Sequence, residues 1–184
     1  MRVVVIGTSG AGKSTAARRM AERLGLPLVE LDSLFHLPGW DQRPEPEFRA
    51  LVSEATAGED WVVDGNYAAV RDIVWPRAEA VVWLDYARWR VMGRVVRRTV
   101  RRLVTRELLW DKVTEPWSNI LSLDPERSII AWAWSTYDDR RSRYALLIED
   151  PAFAHIEFHR VSRPRDLGRV VDRLHRNNLP NDPP

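Results

Sequence analysis

The sequence predicts an α/β sandwich built on a five-stranded parallel sheet, and three observations predict it. Arg2–Ile6 is a continuous β-branched run of the kind buried on both faces of a sheet. Short apolar runs then alternate with segments of helical periodicity along most of the 184 residues. Three of those runs lead into aspartates, Asp32, Asp64 and Asp85, and ligands of open parallel sheets gather at the carboxyl ends of strands. The length suits one domain over residues 1–184.

The elements follow in order. After Arg2–Ile6 comes a glycine-rich turn, then Lys13–Leu24 at helical spacing, closed by Gly25 as a C-cap. Pro27–Leu31 reads as the second strand. Leu34–Pro46 carries three prolines and Gly39 and reads as loop. Glu47–Ala57 places Phe48, Leu51, Val52 and Ala55 on one helical face, with Gly58 ending it. Trp61–Val63 and Ala80–Leu84 are the third and fourth strands. Ala87–Thr105 is a long helix, and Glu107–Pro125 is irregular, broken by Pro116 and Pro125. Glu126–Glu149 is helical, Ala154–Val161 is the fifth strand, and Pro164–His175 is a last helix with proline in its first turn.

Composition narrows the function classes. The 45% hydrophobic and 29% charged content is that of a globular chain, and no apolar run approaches a membrane span. There is no cysteine, so disulfides and thiolate metal sites are excluded. His155 and His159 are four apart but fall in an alternating strand-like stretch, not in ligand spacing. No targeting segment is visible, which makes the cytoplasm the expected location. The cations are 26 arginines and 2 lysines, Lys13 and Lys112, so a lysine kept at position 13 stands out.

Position 13 lies inside Gly7-Thr8-Ser9-Gly10-Ala11-Gly12-Lys13-Ser14, a full match to G-x-x-x-x-G-K-[ST] between a strand and a helix. Glycines let successive backbone N–H groups converge on phosphate oxygens, and the helix N-terminus adds partial positive charge. Lys13 would reach the β- and γ-phosphates and Ser14 would ligate Mg²⁺. Gly7, Ser9, Gly10, Ala11, Gly12, Lys13, Ser14 and Thr15 are therefore the expected nucleotide-binding residues.

Asp64, after a hydrophobic strand, suits a Mg²⁺ role through water, against a plain turn before Gly65. Asp32 suits orientation or deprotonation of an acceptor, against helix capping. Asp85 opens the long helix and reads as its cap. That helix holds eight arginines between Tyr86 and Arg106 and no acid. Arg90, Arg94, Arg97, Arg98 and Arg101 share one arc, with Trp89, Met92, Val96, Val100 and Leu103 opposite. The arc reads as a solvated face, a lid over a transferring phosphoryl group, or a nucleic-acid patch. Trp61, Trp83 and Trp132 suit core positions, whereas Trp40, Trp110 and Trp117 fall in loops beside the expected cleft.

Gly7–Thr15, then Glu30-Leu31-Asp32 with Pro38-Gly39-Trp40, then Trp61–Tyr67 together resemble the adenylate-kinase-like P-loop kinases. Among these the sequence is most similar to the small bacterial proteins labelled DNA topology modulation proteins. The resemblance implies strand order 2-3-1-4-5, an acceptor-binding segment of about 33–57 and a helical lid of about 102–119. Arg97, Arg98, Arg101 and Arg102 lead into that lid. It also implies phosphate-facing roles for Arg140 and Arg143 and places Arg163 near the adenine loop. Asn66-Tyr67 stand where adenylate kinases proper carry an aromatic residue, proline and arginine, and Trp110–Asn119 contains no glycine.

The expected function is ATP–Mg²⁺-dependent phosphoryl transfer to a nucleotide or other small molecule. Lys13, Asp32, Arg98, Arg102 and Arg140 would serve the chemistry, Ser14 and Asp64 the metal, and Arg163 the nucleotide. The alternatives are a nucleotide-dependent nucleic-acid-binding regulator and a plain NTPase without an acceptor. The absence of an Asn-Lys-x-Asp guanine motif favours ATP over GTP, and the oligomeric state stays open.

Overall fold

The computed structural model describes residues 1–37, 41–105 and 129–178, side chains excepted at 102–105 and 129. Its centre is a parallel sheet in the order β2-β3-β1-β4-β5. The strands are β1 (Arg2–Gly7), β2 (Leu28–Glu30), β3 (Trp61–Asp64), β4 (Ala80–Leu84) and β5 (Glu157–Val161). β1 is central, pairing Val5 with Asp64 on one side and Gly7 with Leu84 on the other. This is the expected order.

The side chains of β1 alternate between two cores, as a strand's period of two requires. Val3 and Val5 pack with Met20, Val91, Val95, Val171 and Leu174 on one face. Val4 and Ile6 pack with Phe48, Val52, Trp75, Trp83 and Tyr144 on the other. Burying each such side chain fully contributes about 1.5–3 kcal/mol, so β1 is the most strongly anchored place from which to hang a loop.

Helices α1 (Lys13–Leu24), α5 (Arg88–Thr105), α6 (Ile129–Ser135) and α8 (Leu167–Asn178) contribute to the first core. α3 (Glu45–Ala55), α4 (Arg71–Val74) and α7 (Tyr137–Glu149) contribute to the second.

Several elements differ from expectation. Leu31–Phe35 is a short helix, α2, where a strand end at Leu31 and a loop from Leu34 were expected, because Leu31 is buried beside Gly65 and pulls the chain inward. The expected helix over 126–149 is two helices among the described residues. It breaks at Thr136, whose hydroxyl bonds the Trp132 carbonyl at 2.7 Å. β5 begins at Glu157, later than Ala154, because Asp150 caps a short 3₁₀ turn over Pro151–Phe153. Trp61 and Trp83 are buried as expected and Trp132 is half-buried. On α5 the buried positions are Val91, Val95 and Thr99, while Trp89, Val96 and Val100 are exposed. Trp40, Trp110, Trp117 and residues 106–119 of the expected lid lie outside the described residues.

Candidate active site

The loop from Thr8 to Gly12 turns β1 into α1 and puts the start of α1 over the carboxyl end of the sheet. Its tightness depends on glycine. Gly10 has φ +82, and a Cβ there would overlap the Val95 side chain and come within 3.0 Å of the Val91 carbonyl oxygen. Gly12 caps α1 with φ +89, a left-handed conformation costly for other residues. The Ala11 amide closes the turn on the Thr8 carbonyl at 3.1 Å.

Lys13 opens α1 and folds back over this loop, its Nζ lying 3.5 Å from the Thr8 carbonyl oxygen. Burial pushes the ammonium below its ordinary pKa, and the carboxylates of Asp64 and Asp32 pull it partly back. Arg140 and Arg98 act on it in the same sense as burial. Two carboxylates and two guanidinium groups therefore surround one lysine.

Asp64 ends β3 beside Val5 and is buried. Burial raises its pKa above the ordinary carboxylate value, while a hydrogen bond from Ser14 and the charge of Lys13 oppose the rise. Its Oδ1 atom has no hydrogen-bond partner among the described residues. A buried, unpartnered carboxylate oxygen next to a hydroxyl is a hard-oxygen donor set, which fits a divalent cation such as Mg²⁺.

Asp32, on α2, accepts a hydrogen bond from the Tyr67 hydroxyl at 2.6 Å. Tyr67 is held by ring contacts to Phe35 at 4.8 Å and to Phe48 at 5.3 Å. Its phenol is pushed far above the ordinary range by burial and then by Asp32, so it stays protonated and donates. α2 and the β3–α4 connection thus meet through this hydrogen bond and the Phe35–Tyr67 ring contact.

The arginines fall into three settings. Arg140, on α7, stacks over Trp132 at 4.4 Å and bonds Tyr144, whose hydroxyl donates to the Gly7 carbonyl at 3.3 Å. Arg98 is half-buried on α5 within electrostatic reach of Lys13. Arg163 is exposed just past β5, two strands from the phosphate loop. Arg102 lies on α5, its side chain outside the described residues. Of the loop residues, Ser9 is half-buried and Thr15 exposed.

Two functions of residues escape the sequence. Arg94 donates to the Ala11 carbonyl of the phosphate loop at 2.8 Å. The sequence puts it on the arginine arc, but nothing in spacing says which arginine faces the loop. Asp85 is not a helix cap. Its side chain is 4% exposed, and α5 begins only at Arg88. Arg141 Nε and Nη2 reach its two oxygens at 2.7 and 3.1 Å, and Arg160 Nε bonds it at 2.8 Å. This clamp ties α7 to the β4–β5 edge one residue beyond Arg140.

No protein-family model matches the chain. The shikimate kinase of Rhodopseudomonas palustris is 31% identical over 140 residues, covering 68% of this chain and 66% of that protein. The shikimate kinase of Corynebacterium efficiens is 31% identical over 134 residues, covering 65% and 76%. Among solved structures, a gluconokinase from Sinorhizobium meliloti superposes with a TM-score of 0.51 at 20% identity, covering 96% of this chain and 94% of that one. The last likeness bears on fold alone. With the phosphate loop at the centre of a 2-3-1-4-5 sheet and that share of a shikimate kinase matched, the chain belongs to the P-loop small-molecule kinases.

Proposed function

We propose that the chain transfers the γ-phosphoryl group of ATP to a hydroxyl of a small molecule. The observation that carries this reading is the convergence of Lys13, Ser14, Asp64 and Asp32 at the carboxyl ends of β1, β2 and β3. The backbone of Gly10–Ser14 cradles the phosphates, and Lys13 reaches the β- and γ-phosphates. Ser14 and Asp64 are the residues that would hold Mg²⁺, which when bound neutralises charge on the phosphate oxygens. Asp32 takes the proton of the acceptor hydroxyl. The hydroxyl oxygen forms the new bond to Pγ, and the pair of the broken Pγ–O bond leaves on ADP. Arg98 and Arg140 stabilise the phosphoryl group in transit, a role that Arg102 shares in the expected lid. Arg163 contacts the adenine.

The finer likeness belongs to this proposal as well. Glu30–Asp32 and Trp61–Tyr67 support placement among the adenylate-kinase-like enzymes, near the proteins labelled DNA topology modulation proteins. A soluble cytoplasmic enzyme of one domain, with its acceptor segment over about 33–57, is part of the same reading. No helix among the described residues is long and apolar enough to cross a membrane. A nucleic-acid role is disfavoured by how α5 spends its arginines. Arg94 is bonded to the phosphate loop, and Arg88 is paired with Asp138 and stacked over Tyr137.

The test is ³¹P NMR of ATP–Mg²⁺ with a panel of hydroxylated metabolites, nucleosides and nucleotides. Lys13→Ala is the control. A new phosphomonoester absent with the variant is the expected result. ATP turnover that survives Lys13→Ala would refute the assignment.

A further inference from the structure

A hydroxyl of the chain itself stands beside the carboxylate assigned to the acceptor. The protein has four tyrosines. Tyr137 donates its hydroxyl to the Tyr86 carbonyl at 2.7 Å and Tyr144 donates to the Gly7 carbonyl at 3.3 Å, so neither is bonded to a base. The Tyr86 ring lies 5.2 Å from the Arg94 guanidinium. Among the described residues, Tyr67 alone of the four bonds a carboxylate, and that carboxylate is Asp32, at 2.6 Å. A hydroxyl within hydrogen-bond reach of a general base is the arrangement of an activated nucleophile. Packing does not call for that hydroxyl. Phe35 and Phe48 hold the ring at 4.8 and 5.3 Å, contacts that a phenylalanine ring would make equally.

Strand register brings this pair close to the phosphate loop. Glu30, two residues before Asp32, pairs with Asp64, and Asp64 pairs with Val5, two residues before Gly7. Neighbouring strands lie about 4.8 Å apart, so the ends of β1 and β2 are about 10 Å apart with Asp64 between them. Lys13 reaches into that gap: after burial, the charges of Asp64, Asp32 and Arg140 act on its ammonium. Burial pushes the Tyr67 phenol up, Asp32 adds to the rise, and Arg140 and Asp64 act on it as well. The lysine that would hold the γ-phosphate and the phenol therefore share one cluster of charges. The phenol keeps its proton in the resting protein, and Asp32 is placed to take it.

Building on the kinase reading above, we propose that the chain phosphorylates its own Tyr67 when no acceptor is bound. The phenolic oxygen forms a bond to Pγ of ATP, the Pγ–O bond to the β-phosphate breaks with its electron pair leaving on ADP, and Asp32 receives the phenolic proton. Lys13 and Arg140 offset the charge of the transferred group. Base, nucleophile and phosphate loop belong to one chain, so the reaction is intramolecular. The product carries about −1.5 to −2 charge on the Asp32 side of the site, against the carboxylate that an external acceptor needs, and so blocks other acceptors.

The test is incubation of the intact chain with γ-³²P-ATP and Mg²⁺ without acceptor, followed by tandem mass spectrometry of the labelled peptide. The expected result is phosphotyrosine at Tyr67, at most one label per chain, with a rate constant independent of protein concentration. Lys13→Ala and Asp32→Asn should each lower that rate about 10²-fold or more. Tyr67→Phe, its fold checked by circular dichroism, should take no label. Transfer to any acceptor found in the ³¹P panel should fall in proportion to the labelled fraction and return on phosphatase treatment.

Unmodified Tyr67 in protein that transfers phosphoryl groups from ATP to a panel member or to water would overturn the self-modification and leave the kinase reading standing. A label that survives Lys13→Ala comes from another enzyme and overturns it too. A rate that rises with protein concentration overturns the intramolecular geometry. A chain that neither labels Tyr67 nor consumes ATP overturns both readings.

Discussion

Asp85 offers the sharpest test of how the sheet edge is held. Asp85→Asn removes one negative charge from a side chain 4% exposed and contacted by two guanidinium groups. Breaking a fully buried pair by neutralising one partner costs about 3–5 kcal/mol. Here Arg141 and Arg160 are 48% and 52% exposed, so water recovers part of that loss. The asparagine also keeps one oxygen to accept a bond. An expected cost of about 2–3 kcal/mol follows. For a chain of this size that is a fall in Tm of about 4–12 °C, read by circular dichroism on heating and checked by urea unfolding.

The pH dependence carries a sign. Burial pushes the Asp85 carboxyl up, but the hydrogen bonds and charges of Arg141 and Arg160 outweigh it and hold it below the ordinary value. A depressed folded-state pKa means stability that is present above the unfolded carboxylate's value and lost as pH falls through the folded one. The gap between native protein and variant should be widest near neutrality and close below about pH 4. A Tm within a degree of the native protein at pH 7, or a gap that persists unchanged to pH 3, would refute the clamp as a source of stability.

Other perturbations separate binding from folding. Gly10→Ala should destabilise by about 1–3 kcal/mol and weaken ATP binding, since the left-handed φ and the contact with Val95 both oppose a methyl group; calorimetric titration with ATP reads the second effect. Arg94→Ala should raise the KM for ATP with a stability loss of about 1 kcal/mol, because the Ala11 carbonyl loses its donor at the phosphate loop. Asp64→Asn should abolish Mg²⁺-dependent turnover yet raise Tm at pH 7. The folded-state pKa of Asp64 is raised, so its charge opposes folding as pH rises through that range. Lys13→Ala should lower kcat about 10²–10³-fold in the ³¹P assay, the scale of losing one preorganised donor.

Much of the fold was legible because local signals and burial agree. β1 is apolar on both faces, and it is the central strand of the sheet, with helices above and below. Where a local signal stood against packing, packing won. Residues 31–35 become helix because Leu31 must pack under Gly65, a contact that a local reading of Leu31 as a strand end and Leu34 as a loop start does not contain. On α5 the arginine arc was visible as a pattern. Which arginine meets the Ala11 carbonyl and which valines meet Gly10 depend on the helix's rotation against the loop.

By itself, the sequence determined the phosphate loop, the strand bearing it and the aspartates at three strand ends. Each is a short-range feature whose chemistry is contained in its spacing. Tertiary structure alone decided what those aspartates do. Asp64 lies beside Ser14 with an unpartnered oxygen, Asp32 is fixed by a tyrosine 35 residues away, and Asp85 is taken by arginines 56 and 75 residues away. The reason is physical. A carboxylate's role is set by the charges and donors within a few ångströms of it, and in a parallel sheet those neighbours come from other strands and helices.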